Sequence, residues 1–296
     1  MPEPLFILCP PRSFSSIVCG ILGQHPECYG LPELNLFLAD DLQSLWHGPM
    51  SLPIFRDGLL RAIAQLHDGV QTEDTVLRAR SFITAHLHWD IPTLVAHIQE
   101  CVGPKILVEK SPSIVSRPES LARLLAAFPD ANLLHLTRHP HANGESIIGL
   151  RNRYEQLQLV ARGKASDPEN MWDRCHELIL AATEDLPLGQ TMRIQGETLL
   201  ANLDLYLPQI CEWLDIDASP AAMADMMHPE NSPYACRGPK GAPLGNDPNF
   251  LDGPSIDQER LKRMKLPTLD DPLSWREDGS LFGPRTRKLA TAFGYQ

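Results

Sequence analysis

Pro10-Pro11-Arg12-Ser13-Phe14-Ser15-Ser16 sets one guanidinium and three hydroxyls side by side. Ile17, Val18, Ile21 and Leu22 follow at helical spacing, with Gly23 as a C-terminal stop. The polar group therefore falls at a helix N-terminus. Unpaired N–H groups and the positive dipole end gather there and favour an anion. An arginine fork matches phosphate or sulfate oxygens. Two readings of this turn stand: an anion cradle, or an ordinary strand-to-helix turn with a surface Arg12. The ATP-type pattern G-x-x-x-x-G-K-[ST] is absent from it.

Apolar runs of strand length must carry such a turn. Leu5 to Cys9 is one, stopped by Pro10 and Pro11. Cys28 to Leu31 reads as a short strand, and Lys105 to Lys110, Asn132 to Thr137 and Met192 to Gln195 as further ones. Helical spacing marks Pro118 to Asp130, a segment starting near Pro140, Ala165 to Asp185, and the stripe Leu203, Leu207, Ile210 and Leu214. Strands alternating with helices predict an α/β fold, a central parallel sheet with helices on both faces. In such folds ligands sit at the carboxyl ends of strands. Lys110 and Arg138 both stand at predicted strand ends.

The remaining residues bound the answer. Residues 40–100 read mostly as helices, including Phe55, Leu59, Leu60, Ile63 and Leu66 on one face and a helix over Gln71 to His88. His86 and His88 are near in sequence but diverge on a helix, and no further ligands accompany them, so no metal site is expected. Seven cysteines without CxxC spacing read as reduced thiols in an intracellular, cytoplasmic protein. The first apolar run is too short for a signal peptide, and no stretch is long enough to span a membrane. The net charge of −11 argues against general nucleic-acid binding, though not against a polyanion in a local basic pocket. His228 to Leu251 is a Pro-, Gly- and Asn-rich loop, and the polar tail from Ser255 either wraps the domain or mediates self-association. The 296 residues are read as one domain, with a helical excursion at about 40–100 and a loop-rich segment at about 228–296.

Pro10 to Ser16 resembles the 5′-phosphosulfate loop of the PAPS-dependent sulfotransferases, usually PKSGTT or PRSGTT. PAPS is 3′-phosphoadenosine 5′-phosphosulfate. Further on, Glu109-Lys110-Ser111-Pro112 resembles the family's EKTP, EKSP and NKDP stretches. Phe128 to Ser146 resembles its 3′-phosphate site, a strand with an Arg at its end and a Ser eight residues later. The His25-Pro26 to Pro32-Glu33 stretch is similar to that of the tyrosylprotein and polyketide-associated branches. Two positions depart from the pattern: Phe14 stands where the family has Gly, and Gly196 where it often has Tyr.

The resemblance implies the P-loop-kinase-like sulfotransferase fold and transfer of a sulfuryl group from PAPS to an alcohol or phenol, without a metal. It makes Glu33, Lys110 and Arg12 the catalytic candidates: Glu33 as general base, Lys110 at the bridging oxygen of the leaving group, and Arg12 at the transferring group. Arg12, Ser13, Phe14, Ser15 and Ser16 are implied to hold the 5′ end and Arg138 with Ser146 the 3′-phosphate, while Arg237 and Lys240 close a C-terminal loop over the donor. Arg151 and Arg153 are further donor contacts to test. Glu27, His86 and His88 rank below Glu33 as bases. Glu109 either orients Lys110 or lies at the surface. The acceptor stays open among a small molecule, a carrier-bound hydroxyacyl chain and a peptide tyrosine. A non-catalytic protein binding the nucleotide or a partner is the alternative, motivated by Phe14 and Gly196. A kinase requiring ATP and Mg²⁺ is a third.

Overall fold

The computed structural model describes residues 2–153, 167–263 and 266–296. Among them five strands form one sheet: β1 (Leu5–Leu8), β2 (Cys28–Gly30), β3 (Ile106–Glu109), β4 (Asn132–Thr137) and β5 (Thr191–Gln195). Their order is β2-β3-β1-β4-β5, and every neighbouring pair is parallel. All four residues of β1 are buried, as expected where helices cover both faces of a parallel sheet. Side chains alternate across it. Phe6 and Leu8 join one core with Leu107 and Leu133, while Leu5 and Ile7 join another with Leu134 and Leu136.

The first core is closed by the helical excursion, α2 (Leu42–His47), α3 (Pro53–Asp68), α4 (Glu73–Ala85) and α5 (Ile91–Val102). Leu59, Leu60 and Ile63 of the expected stripe are fully buried there. The second is closed by α1 (Ser15–Leu22), through Val18, Ile21 and Leu22. α6 (Pro118–Ala127), α7 (Pro140–Arg153), α8 (Pro168–Thr183), α9 (Gly196–Ala201) and α10 (Leu203–Leu214) complete the crossovers. The stripe of Leu203, Leu207, Ile210 and Leu214 lies in that second core.

Small differences from the expected boundaries have local causes. The helix predicted over Gln71 to His88 ends at Ala85, because His86 caps it and turns its Nδ1 onto the Phe82 carbonyl oxygen at 2.7 Å. The one predicted from Ala165 begins at Pro168, capped by Asp167, and its first expected residues lie outside the described ones. The loop from His228 is irregular apart from a 3-10 turn and a short helix at Pro248–Asp252. In the tail, Leu269, Leu273, Phe282, Phe293 and Tyr295 pack on Trp172 of α8, so it wraps the sheet's partner helices.

Connections leave β1 toward β2 and leave β4 toward β5, on opposite sides. Between these neighbours lies the topological switch point, where loops part and a ligand crevice opens at the strands' carboxyl ends. The turn containing Arg12 follows β1 and Arg138 follows β4, so topology alone brings the two arginines to one crevice.

Two buried histidines sit beneath it. His135 of β4 and His176 of α8 meet at 2.8 Å between Nε2 and Nδ1. Burial pushes His135 down to about 3 and His176 well below its ordinary value, so both stay neutral in the fold. Unfolded, each takes up a proton below pH ~6.5. Their contribution is therefore present at neutral pH and lost as pH falls from 6.5 toward 3. Glu109 and Asp173, pushed up by burial to about 7 and about 6, act with the opposite sign. The difference between wild type and His135→Gln isolates the histidine. In urea unfolding, wild type should lose about 2 kcal/mol more than the variant between pH ~6.5 and ~5. Equal losses would show that His135 is not held neutral.

Candidate active site

The turn after β1 is built on two left-handed residues, Arg12 and Phe14, each at φ 66°. That conformation costs about 1–2 kcal/mol outside glycine and must be held by its surroundings. Asn143 of α7 supplies part of the hold, donating from Nδ2 to the Pro11 carbonyl oxygen at 2.8 Å and to Ser13 Oγ at 3.1 Å. Ser13, Ser15 and Ser16 are buried. No side chain caps α1, so the donors of its first turn are left for an anion. Arg12 extends from this turn, with Nε on Ser146 Oγ at 3.0 Å and Nη1 paired to the carboxylate of Asp247. The backbone N–H of Asp247 donates in turn to Ser16 Oγ at 3.1 Å.

Lys110 leaves the end of β3 and is fully buried. Its Nζ lies 2.6 Å from Ser16 Oγ and 2.8 Å from Glu33 Oε1. The arrangement therefore joins the expected base, the expected leaving-group cation and the first turn of α1. Glu33 keeps about a fifth of its side chain exposed and is the member of the trio open to solvent. Its backbone is set by close approach: Glu33 N–H donates to the Gly245 carbonyl at 2.7 Å, and a Cβ on Gly58 would stand 1.9 Å from the Glu33 carbonyl oxygen. Only glycine fits there. Glu109 is buried rather than at the surface. It accepts from the Leu34 N–H at 3.3 Å and from the Ser111 hydroxyl, and Ser111 Oγ accepts from the Asn35 N–H at 2.9 Å. Glu109 thus braces the Glu33 segment against β3. Lys110 is oriented by Glu33 and Ser16 instead.

Arg138 faces Arg12 across the crevice. Its Nη1 donates to the Arg12 carbonyl oxygen at 2.6 Å, and its guanidinium carbon lies 4.3 Å from the centre of the Phe14 ring. Burial lowers Arg138 to about 10, which leaves it charged at neutral pH. Its buried Nε has no hydrogen-bond partner among the described residues, a donor in want of an anion. Ser146, expected beside Arg138, instead bonds Arg12, which links the two ends of the crevice.

The two departures from the family pattern meet here. A Cβ on Gly196 would stand 2.6 Å from Phe14 Cδ2. The Phe14 ring thus turns away from the turn, over Gly196 and under Arg138. Beneath Arg138, Glu197 accepts from the His139 N–H at 2.9 Å and from the Tyr295 hydroxyl at 3.1 Å.

Other expected residues lie elsewhere. Arg237 forms a bidentate pair with Asp252 at 2.8 and 3.0 Å, and Lys240 is exposed with its backbone N–H on Glu73. Among the described residues, the hydrogen bonds given for the two go to Asp252 and Glu73 and not to the Lys110 or Arg138 groups. Arg153 reaches Asn249 at 3.2 Å, and Arg151 is half-buried. Glu27 accepts from the Asp217 N–H, a structural use. The sequence singles out neither Asp247 within its loop nor Tyr295 within the tail. Asp247 meets Arg12 across 235 positions and Tyr295 meets Thr137 across 158, where no local pattern reaches.

Gly196→Ala should lower stability by about 1–3 kcal/mol through overpacking against Phe14. Phe14→Gly, which also suits the left-handed turn, should relieve most of that loss in the double variant. Strictly additive losses in denaturant unfolding would contradict the packing.

A family model described as "Sulfotransferase family" matches residues 4–220. The fold is similar to the sulfotransferase domain from the curacin biosynthetic pathway, at a TM-score of 0.80 and 24% identity over 100% of this chain and 99% of that one. It is also similar to the sulfotransferase domain from the Synechococcus PCC 7002 olefin synthase, at a TM-score of 0.75 and 24% identity over 100% and 97%. No curated protein sequence matches the chain. No helix among the described residues is long and apolar enough to cross a membrane. With the matched segment running through the turn after β1, Glu33, Lys110 and Arg138, the chain belongs to the sulfotransferase family.

Proposed function

We propose that this protein transfers a sulfuryl group from PAPS to the hydroxyl of an alcohol or phenol, giving a sulfate ester and adenosine 3′,5′-bisphosphate (PAP). The single observation that carries the reading is the buried Lys110 ammonium between Ser16 Oγ and Glu33 Oε1. One cation then touches both the donor turn and the candidate base.

In this reading the 5′-phosphosulfate lies on the first turn of α1, with Arg12, Ser15 and Ser16 around it and Ser13 holding the turn to α7. The acceptor oxygen gives its proton to Glu33 and forms a new bond to sulfur. The bond from sulfur to the bridging oxygen breaks, and its electron pair stays on the 5′-phosphate of PAP. Negative charge grows on that bridging oxygen, and Lys110 is the cation at hand for it. Such a loose displacement asks mainly for alignment and charge stabilisation. Donor oxygens compete with the Asp247 carboxylate for Arg12. The 3′-phosphate falls to Arg138, whose orphaned Nε supports an anion there.

Phe14 and Gly196 had motivated a non-catalytic alternative. Their mutual packing weighs against it, since the ring lies over Gly196 and under Arg138. The similarity to domains from a biosynthetic pathway and an olefin synthase makes a carrier-bound hydroxyacyl chain the first acceptor to try. Small alcohols and tyrosine peptides are the other arms of the screen.

With an accepting substrate, Glu33→Gln should reduce kcat by roughly 10²–10⁴ while PAP affinity changes little. Full turnover in the variant would remove Glu33 as the base. Arg138→Ala should weaken PAP at least tenfold more than adenosine 5′-phosphosulfate, which lacks the 3′-phosphate, since a charged hydrogen bond contributes about 1.5–3 kcal/mol. Equal weakening of both ligands in calorimetry would contradict the assignment.

A further inference from the structure

On the outer side of the helical excursion, three ligand-bearing side chains converge. His67 lies in the last turn of α3, and His97 and Cys101 lie one turn apart on α5. The Nε2 atoms of His67 and His97 are 2.8 Å apart, and Cys101 Sγ is 3.8 Å from His97 Nε2. All three ligand atoms lie within 4.8 Å of one another. The i, i+4 spacing puts His97 and Cys101 on one face of α5, turned toward the end of α3.

We propose that His67, His97 and Cys101 form a metal site for a borderline or soft ion of the zinc class, which clamps α3 to α5. Two imidazoles and a thiolate are the donor set such ions prefer over Mg²⁺ or Ca²⁺. Zinc bonds of ~2.0–2.1 Å to nitrogen and ~2.3 Å to sulfur, in a tetrahedron, need N···N of ~3.4 Å and N···S of ~3.6 Å. The imidazoles must part by about half an ångström, and Cys101 Sγ, 3.8 Å from His97 Nε2 and within 4.8 Å of His67 Nε2, must close on the pair. Rings are held for this by an aromatic wall. Phe82 stacks on His97 at 4.9 Å and meets His67 edge-on at 4.7 Å, and Trp89 lies 5.5 Å from His97. His67 and Cys101 are exposed, which leaves an entry path and a fourth position for water.

The ion's part is structural. α3 is also the helix whose Gly58 packs on the Glu33 backbone, so the clamp secures, at the far end, the element that supports the candidate base. No step of sulfuryl transfer passes through it. The sequence does not mark the site, because its ligands come from two helices and His67 stands 30 positions from His97.

The test is a cobalt titration of chelator-treated full-length protein carrying no histidine tag. Wild type should bind one equivalent with the d–d absorption of a tetrahedral site and a sulfur-to-cobalt charge-transfer band. Zinc should displace the cobalt and raise the unfolding temperature. Cys101→Ser should abolish the charge-transfer band, and His67→Ala should weaken binding by roughly 10²-fold or more, given that even outer-shell changes cost 10–100-fold. Cys236→Ser, at the other exposed thiol, should leave the spectrum unchanged. All three positions are exposed or half-buried, so each variant should stay folded, which circular dichroism checks. A wild-type titration without the charge-transfer band would overturn the proposal, as would a band that survives Cys101→Ser.

Discussion

A fully buried ammonium such as that of Lys110 is tolerated only when its charge and its donors are met inside the protein. Left unpaired, a buried charge costs several kcal/mol. Here it is met by Glu33 Oε1 and Ser16 Oγ. Those partners come from the segment after β2 and from the first turn of α1, so one cation draws three elements together at the carboxyl edge of the sheet. The other features of the crevice serve that juxtaposition. Glu109 and Ser111 brace residues 34 and 35, Gly58 and Gly245 let their backbones approach Glu33, and Asn143 pins the strained turn that leads into Ser16. A network of this kind is less an addition to stability than a way of fixing where one carboxylate and one ammonium must stand.

The fold was legible in the sequence because local signals agree. β1, β3 and β4 are short, mostly apolar runs followed by Pro or a charge, and α3, α5, α6 and α10 each carry an apolar stripe. Asn132 to Thr137 and the stripe from Leu203 to Leu214 emerge with the same limits in the structure. The turn after β1 was legible for the same reason: a guanidinium and hydroxyls between a strand and a helix imply their own geometry. What stayed hidden rests on contacts between distant positions. Asp247 reaches Arg12 across 235 positions, and Tyr295 reaches Thr137 across 158. Nothing in residues 228–251 marks Asp247 above its neighbours, and Arg237 and Lys240, the conspicuous cations of that loop, hydrogen-bond outside the Lys110 and Arg138 groups.

Phe14 and Gly196 show how two irregularities can be one feature. Taken singly, each departs from a pattern: a bulky residue in a turn that asks for Gly, and a missing side chain where one is usual. In space the ring of the first fills the place the second leaves open, with Arg138 lying over it. The guanidinium face is occupied by the ring while the Nε edge stays unpaired, so an anion can be met edge-on by a group whose plane is already fixed. The cost of the left-handed Phe14 is offset by that stacking and by the hold of Asn143 on the same turn.

Thermal unfolding with PAP, and with ATP–Mg²⁺ in parallel, tests most directly whether this crevice is built for a 3′,5′-bisphosphorylated nucleotide. At a hundredfold excess over its dissociation constant PAP should stabilise the fold by about 2.7 kcal/mol, a rise of roughly several degrees for a chain of this length. That rise is expected with PAP, and little or none with ATP–Mg²⁺. A rise with ATP–Mg²⁺ alone, or none with either, would contradict it.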